Sequence, residues 1–320
     1  MNAYLVAATT GIIVLSAVFF SVMERVRPYT PGKKLFREGF WLDFVWYTLI
    51  QSYFLGILIF EYLIAPAEHA LGIAEQGYIS HWPKWALVLF FFFTHDFYIY
   101  WFHRAQHHNK ILWRTHEAHH SVATCDWLAG SRSHVLEIII NQTVEFAPIV
   151  LLLDTQTAAV MIPVKGAIDA VWGMFIHSNV DVRLGKLGYV INGPEMHQWH
   201  HAEHKDVYYA NYGTKLAIWD YLFGTAYNPN LKPTLFGLPY AYPKDYFAQH
   251  VFAFWRFDVA KLENNPLYAR YDNLRVNALN ALGKMFGFKG PQPYSLAHPP
   301  AEAGAEPNQT AETEKLSAAG

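Results

Sequence analysis

Long apolar runs separated by short polar stretches set the pattern of this chain. The first, "AYLVAATTGIIVLSAVFFSVM" from Ala3 to Met23, carries no charge and is long enough to cross about 30 Å of hydrocarbon. It lacks a basic leader and exceeds the usual apolar core of a signal peptide, so a retained helix is expected. A second span is expected from about Trp41 to Ala65, with Asp43 near one end and Glu61 near the other. A third is expected from about Trp85 to Phe102, its inner end holding His95 and Asp96. Two shorter segments, Leu136–Leu153 and Thr157–Phe175, carry Glu145 and Lys165, with Asp154 between them. They are either two spans or a hairpin that partly penetrates the membrane. The expected fold is an all-α integral membrane protein with about four to five transmembrane or partly penetrating helices and a cytosolic, histidine-rich helical cap.

Composition agrees with this pattern. Hydrophobic residues make up 52% of the 320 residues and charged ones 16%, against roughly 25% charged in a soluble domain. A net charge of −2 gives no footing for nucleic acid. A single cysteine, Cys125, excludes a disulfide framework or a cysteine-built metal site within one chain. Orientation follows from basic residues in short loops. Arg25, Arg27, Lys33, Lys34 and Arg37 fill the loop after the first span, whereas residues 66–83 contain no Lys or Arg. The first loop is therefore expected in the cytoplasm. Alternation places residues 104–132 and those after His177 there too. Residues 295–320, rich in Ala, Glu and Pro, are expected to be disordered.

Histidine is the unusual feature, with 13 of the 17 falling between His95 and His204. His103 and His107 lie four apart, on one face of a helix. "HEAHH" gives His116, His119 and His120, and "HQWHH" repeats that spacing with His197, His200 and His201. His204 falls on the same face as the last three. His95, eight residues before His103, lies about 12 Å away along a helix; it can join the same face, but not the same small coordination sphere unless the helix is distorted. His69, His81, His250 and His298 read as ordinary surface or packing residues. Neutral imidazole ligates zinc, copper, iron or nickel, and one tetrahedral zinc takes about four ligands. Eight histidines in a 2 + 3 + 3 arrangement suit two ions, and two redox-active ions with open positions are what O₂ activation requires. "HEAHH" also spells the zinc-protease pattern H-E-x-x-H, with Glu117 as base. "HQWHH" keeps the spacing but has Gln198 in that place, and a protease would leave His103, His107, His119 and the whole third stretch without a role. A di-haem reading fails because "HRAQHHNK" is too polar for a span.

The stretches "HRAQH", "HEAHH" and "HQWHH", followed by "NYG" at Asn211–Gly213 and "WDYLFGT" at Trp219–Thr225, resemble the membrane-bound fatty acid hydroxylase / sterol desaturase superfamily. The resemblance covers roughly residues 90–226. It implies an integral membrane enzyme with two iron ions and O₂ as cosubstrate, hydroxylating a lipid C–H bond or, alternatively, desaturating it. The ligands it implies are His103, His107, His116, His119, His120, His197, His200 and His201. His177 is a further candidate, and His95 and His134 weaker ones; by type and position, Asp96, Glu117, Glu137 and Asp220 are candidates for residues that orient the ligands. Helix capping, or pairing with Arg104 or Arg132, is the plain alternative for Asp96 and Glu137. "FFFF" at Phe90–Phe93 reads as lipid-facing or helix packing. The domains expected are transmembrane helices over 1–84, a di-iron catalytic domain over 85–230, a cytosolic or interfacial segment over 231–294 and the tail. The chain shows no cytochrome b5-type H-P-G-G motif, so a separate electron donor is expected, of ferredoxin or cytochrome b5 type with its reductase. The expected location is a bacterial inner membrane, or the endoplasmic reticulum in a eukaryote, with the site on the cytoplasmic side.

Overall fold

The computed structural model describes residues 3–72, 76–229 and 231–287; the expected tail lies outside them. The chain forms two compact units, the first ending at Arg256 and the second beginning at Phe257. No strands longer than isolated bridges occur among the described residues.

Among the described residues, five helices of the first unit are long and apolar enough to cross a membrane: α1 (Ala3–Val26), α2 (Leu42–Leu71), α3 (Lys84–His108), α5 (Val135–Leu152) and α6 (Thr155–His177). The fourth helix, α4 (Lys110–His120), is short and polar. The two segments left open between spans and a hairpin are thus helices of 18 and 23 residues. Pro148 and Pro163 lie inside them without ending them, as membrane helices tolerate. Asp154 caps α6, accepting from the Thr157 N–H at 2.8 Å. Parts of α2, Leu42–Leu55 and Phe60–Ile64, are wound as π-helix.

The spans keep large side chains such as Leu15, Phe54 and Phe93 exposed, the surface a lipid-facing helix presents. Inside, Leu87 and Phe91 of α3 pack with Ile149 of α5, Leu153, and Ala158 and Met161 of α6. The "FFFF" run is therefore split, Phe91 in the core and Phe93 outward. Phe20 of α1 packs on Met174 of α6 and on Val180.

Two local signals build the cap. Asn109 stops α3 and caps α4, its side chain accepting from the N–H groups of Ile111 and Leu112, as a helix N-cap should. The chain therefore reverses between the first two histidine stretches in a single residue. Pro194 opens α7 (Pro194–His200) in the first-turn position its fixed φ suits. Two further short helices follow, α8 (Ile218–Leu222) and α9 (Tyr246–Phe252). In the second unit, α10 (Val259–Glu263) precedes α11 (Pro266–Phe286).

Candidate metal centre

The ends of α3 and α6 and the helices α4 and α7 bring nine histidines into two groups. His103, His107, His116, His120 and His200 form one; His119, His177, His197 and His201 form the other. Within each group the candidate ligand atoms lie within 4.8 Å of one another. Helical geometry explains the partition. Each H-x-x-H-H stretch gives its i, i+4 pair to one group and its remaining histidine to the other. His116 and His120 face the first group and His119 the second; His197 and His201 face the second and His200 the first.

The outer nitrogens are fixed by acceptors. Nδ1 of His103 donates to the Tyr212 carbonyl at 2.9 Å, His107 to Tyr208 at 2.8 Å, and His200 to Ala210 at 2.8 Å. His119 donates to the Arg132 carbonyl at 3.1 Å and His177 to Gly173 at 2.8 Å. His116 donates to Glu137 Oε1 at 3.0 Å. A carbonyl can only accept, so it places the ring proton on Nδ1 and leaves the Nε2 lone pair pointing inward. Nε2 of His103, His107, His116, His120 and His200 is buried and has no protein partner. An orphaned buried polar atom costs about 1–3 kcal/mol, and five converge here. In the second group, Nε2 of His177 lies 3.3 Å from Nε2 of His119. Both protons sit on Nδ1, so two lone pairs face each other, a repulsive contact that a cation between them turns attractive. Burial first, then neighbouring histidines, hold His116, His120, His197, His200 and His201 well below the ordinary imidazole range. They remain neutral, the form that binds metal. The donor set fits two metal ions.

Of the further candidates, His177 joins the second group and His95 joins neither. Nδ1 of His95 accepts from Lys165 Nζ at 3.0 Å, within a separate charged cluster. His134 stacks on His250 at 4.5 Å between ring centres and caps α5, accepting from the Leu136 N–H. His204 is half exposed and outside both groups.

Among the four acids, Glu137 alone touches one of the nine histidines. Glu117 is buried, yet it accepts from Tyr240 Oη at 2.9 Å and from Arg256; the helix turns it away from both groups. Asp96 and Asp220 act one step removed, on the loop of residues 211–216. Asp96 accepts from Thr214 Oγ1, from the N–H groups of Lys215 and Leu216, and from Trp219 Nε1. Asp220 accepts from the N–H groups of Tyr212 and Gly213 and from Thr225 Oγ1. That loop carries the Tyr212 carbonyl that orients His103. Arg104 and Arg132 take neither Asp96 nor Glu137: Arg104 bonds Tyr100 Oη, and Arg132 pairs with Asp43.

"NYG" is a backbone device. Asn211 has φ of +60°, a region Asn tolerates better than most residues, and its Nδ2 binds the carbonyls of Met196 and Tyr227. At Gly213 a Cβ would come within 2.5 Å of the Leu216 carbonyl oxygen. Sequence reasoning missed the orienting carbonyls, which no side-chain pattern reports. It also missed Gly130, where a Cβ would lie 2.5 Å from His177 Nδ1.

Five membrane-length helices among the described residues, two of which end at paired groups of inward-pointing imidazoles, define a polytopic helical membrane protein with a paired polyhistidine site. The chain belongs to the fatty acid hydroxylase family, whose model matches residues 88–225. It is 30% identical to ornithine lipid hydroxylase OlsE of Rhizobium tropici over 68% of this chain and 67% of that one. It is 31% identical to human alkylglycerol monooxygenase over 50% of this chain, and the alignment spans only 36% of that longer protein. Methylsterol monooxygenase 1 of Rattus norvegicus is 31% identical over 41% of this chain and 43% of its own. No solved structure matches the chain. The chain is accordingly an oxidoreductase of the lipid-oxygenating class.

Proposed function

We propose that this enzyme hydroxylates a C–H bond of a polar membrane lipid, with O₂ as cosubstrate and two iron ions held by the nine histidines. The observation that carries the reading is the convergence of nine histidines' ligand atoms in groups of five and four, with the Nε2 atoms of the five buried and without a protein partner. Irons bound there would supply O₂ activation and C–H oxidation. The balance is one C–H bond, one O₂, two electrons and two protons giving an alcohol and water, with the electrons brought by a ferredoxin or cytochrome b5-type donor and its reductase. The protein's part is orientation. The carbonyls of Tyr208, Ala210, Tyr212, Arg132 and Gly173, with Glu137, hold six rings in one tautomer, which raises ligand basicity and fixes direction. Hydroxylation is favoured over desaturation because the named relatives are hydroxylases and monooxygenases. Ornithine lipid and alkylglycerol in those names point to a polar lipid. A zinc protease is disfavoured because Glu117 turns toward Tyr240 and Arg256. We place the site on the cytoplasmic side, following the basic first loop, and in a bacterial inner membrane.

Anaerobic purification followed by metal analysis and an absorbance spectrum tests this reading. About two irons per chain without a haem band is expected, and cellular lipids should gain one oxygen when the protein is expressed. One zinc per chain, a haem band, or full activity in His119→Ala would overturn it.

A further inference from the structure

His95, set aside as a ligand, belongs to a buried charged cluster within the spans. Lys165 Nζ lies 2.5 Å from Glu145 Oε1 and 2.6 Å from Asp169 Oδ2. Lys215 Nζ lies 2.8 Å from Asp169 Oδ1. His95 Nδ1 faces both ammonium groups, at 3.0 and 3.4 Å. Ammonium groups only donate, so this lone pair is engaged and the ring proton sits on Nε2, on the side of Glu145 Oε2 at 3.8 Å. The lysine side chains are 5% and 4% exposed. Ionisable groups inside a membrane are expensive and are retained for a purpose. Two lysines bonded to Asp169, one of them also to Glu145, argue against a third metal at this place.

The cluster's position relative to the metal centre gives that purpose. On α3, His95 lies eight residues before the ligand His103. On α6, Asp169 lies eight before His177. On α5, Glu145 lies eight after Glu137, the acceptor of His116. Eight residues is about 12 Å along a helix. The same three helices thus carry one polar layer at the histidines and a second, about two turns deeper, at the cluster. Lys215 adds the fourth component. Its Nζ is held by Asp169, and its backbone N–H is held by Asp96, so the cluster grips the loop whose Tyr212 carbonyl orients His103.

We infer that His95, Glu145, Lys165, Asp169 and Lys215 are positioning residues that lock α3, α5, α6 and the 211–216 loop in register beneath the metal centre. An apolar contact between helices tolerates sliding, whereas an ion network of this kind fixes one arrangement, the specificity role that buried ion pairs serve in some proteins. The inference rests on the proposed metal site only in what the lock positions.

The test uses full-length protein in nanodiscs, with spin labels on Leu89→Cys and Val160→Cys, exposed positions on α3 and α6; the buried Cys125 stays unlabelled. Asp169→Asn and Lys165→Met are each expected to broaden the inter-label distance distribution. Each should also lower affinity for the second cobalt(II) ion at least tenfold and shift the cobalt ligand-field bands. The swapped pair Lys165→Glu/Glu145→Lys should recover much of either loss. Unchanged distances and bands in both single variants would overturn the lock, and the swapped pair alone decides if the single variants fail to accumulate. If the unaltered protein binds no cobalt, the metal reading fails by itself and the distances still judge the lock.

Discussion

Replacing Gly130 by Ala tests the geometry of the four-histidine group. Gly130 sits in the short turn Ala129–Ser131 and its φ lies outside the left-handed region, so alanine strains no backbone there. The added Cβ, however, would stand 2.5 Å from Nδ1, 2.8 Å from Cε1 and 3.0 Å from Cγ of His177. Ordinary carbon contacts are about 3.5–4.0 Å, so the ring must retreat by roughly 1 Å. Retreat breaks the 2.8 Å bond from Nδ1 to the Gly173 carbonyl. It also moves Nε2 off a position that metal–nitrogen bonds of about 2.0–2.1 Å define closely. Losing an orienting contact typically costs 10–100-fold in metal affinity, or about 1.4–2.7 kcal/mol. Titration of apo-protein with iron(II) or cobalt(II) should then show one unchanged tight site, the five-histidine group, and one weakened by that factor. Lipid hydroxylation should fall with the weakened site. The clash acts only through His177, so adding Gly130→Ala to His177→Ala should change little, a non-additivity that a double-mutant cycle reads directly. Two equally tight sites in Gly130→Ala, or full additivity with His177→Ala, would refute the reasoning.

Glu137→Leu removes the only side-chain acceptor seen among the orienting bonds, that of His116, and should weaken the five-histidine site 10–100-fold, with Glu137→Gln milder because its amide oxygen still accepts; competition with a metal-sensing dye measures both. Arg37 joins Asp43 and Asp126 at 2.7 Å each, with side chains 4%, 0% and 8% exposed, so Arg37→Ala strands buried charge. It should cost about 3–5 kcal/mol, seen as a lower thermal-inactivation temperature in nanodiscs, whereas an unchanged temperature would show the network to be dispensable. Burial pushes the Cys125 thiol up to about 12, and the thiolate is the reactive form. Native protein at pH 8 should therefore resist iodoacetamide, unfolded protein should label readily, and labelling of the native form as fast as the unfolded would contradict the buried placement.

The sequence made the spans and the eight paired histidines legible for the same reason: both are periodic. An apolar run of membrane length needs only composition, and H-x-x-H-H needs only the helical repeat to show that its members share a face. That repeat separates each stretch's i, i+4 pair from its third histidine, but which pair meets which depends on how α4 and α7 approach each other, a tertiary fact. The same limit bears on His177 and His95, both lone histidines near a span end. His177 ends its helix and reaches the group, while His95 sits two turns deeper, where Lys165 and Lys215 occupy its lone pair. Asp96 and Asp220 were legible as important by position, but their contacts are with N–H groups of a loop that has no repeat to reveal it. The carbonyls of Tyr212, Ala210 and Tyr208 are further out of reach, since every residue has one and only the fold selects which face a ring. For a site built from side chains on helices and oriented by backbone from loops, sequence discloses the candidate ligands and withholds what aims them. In this protein that boundary runs between Nε2 and Nδ1 of the same imidazoles.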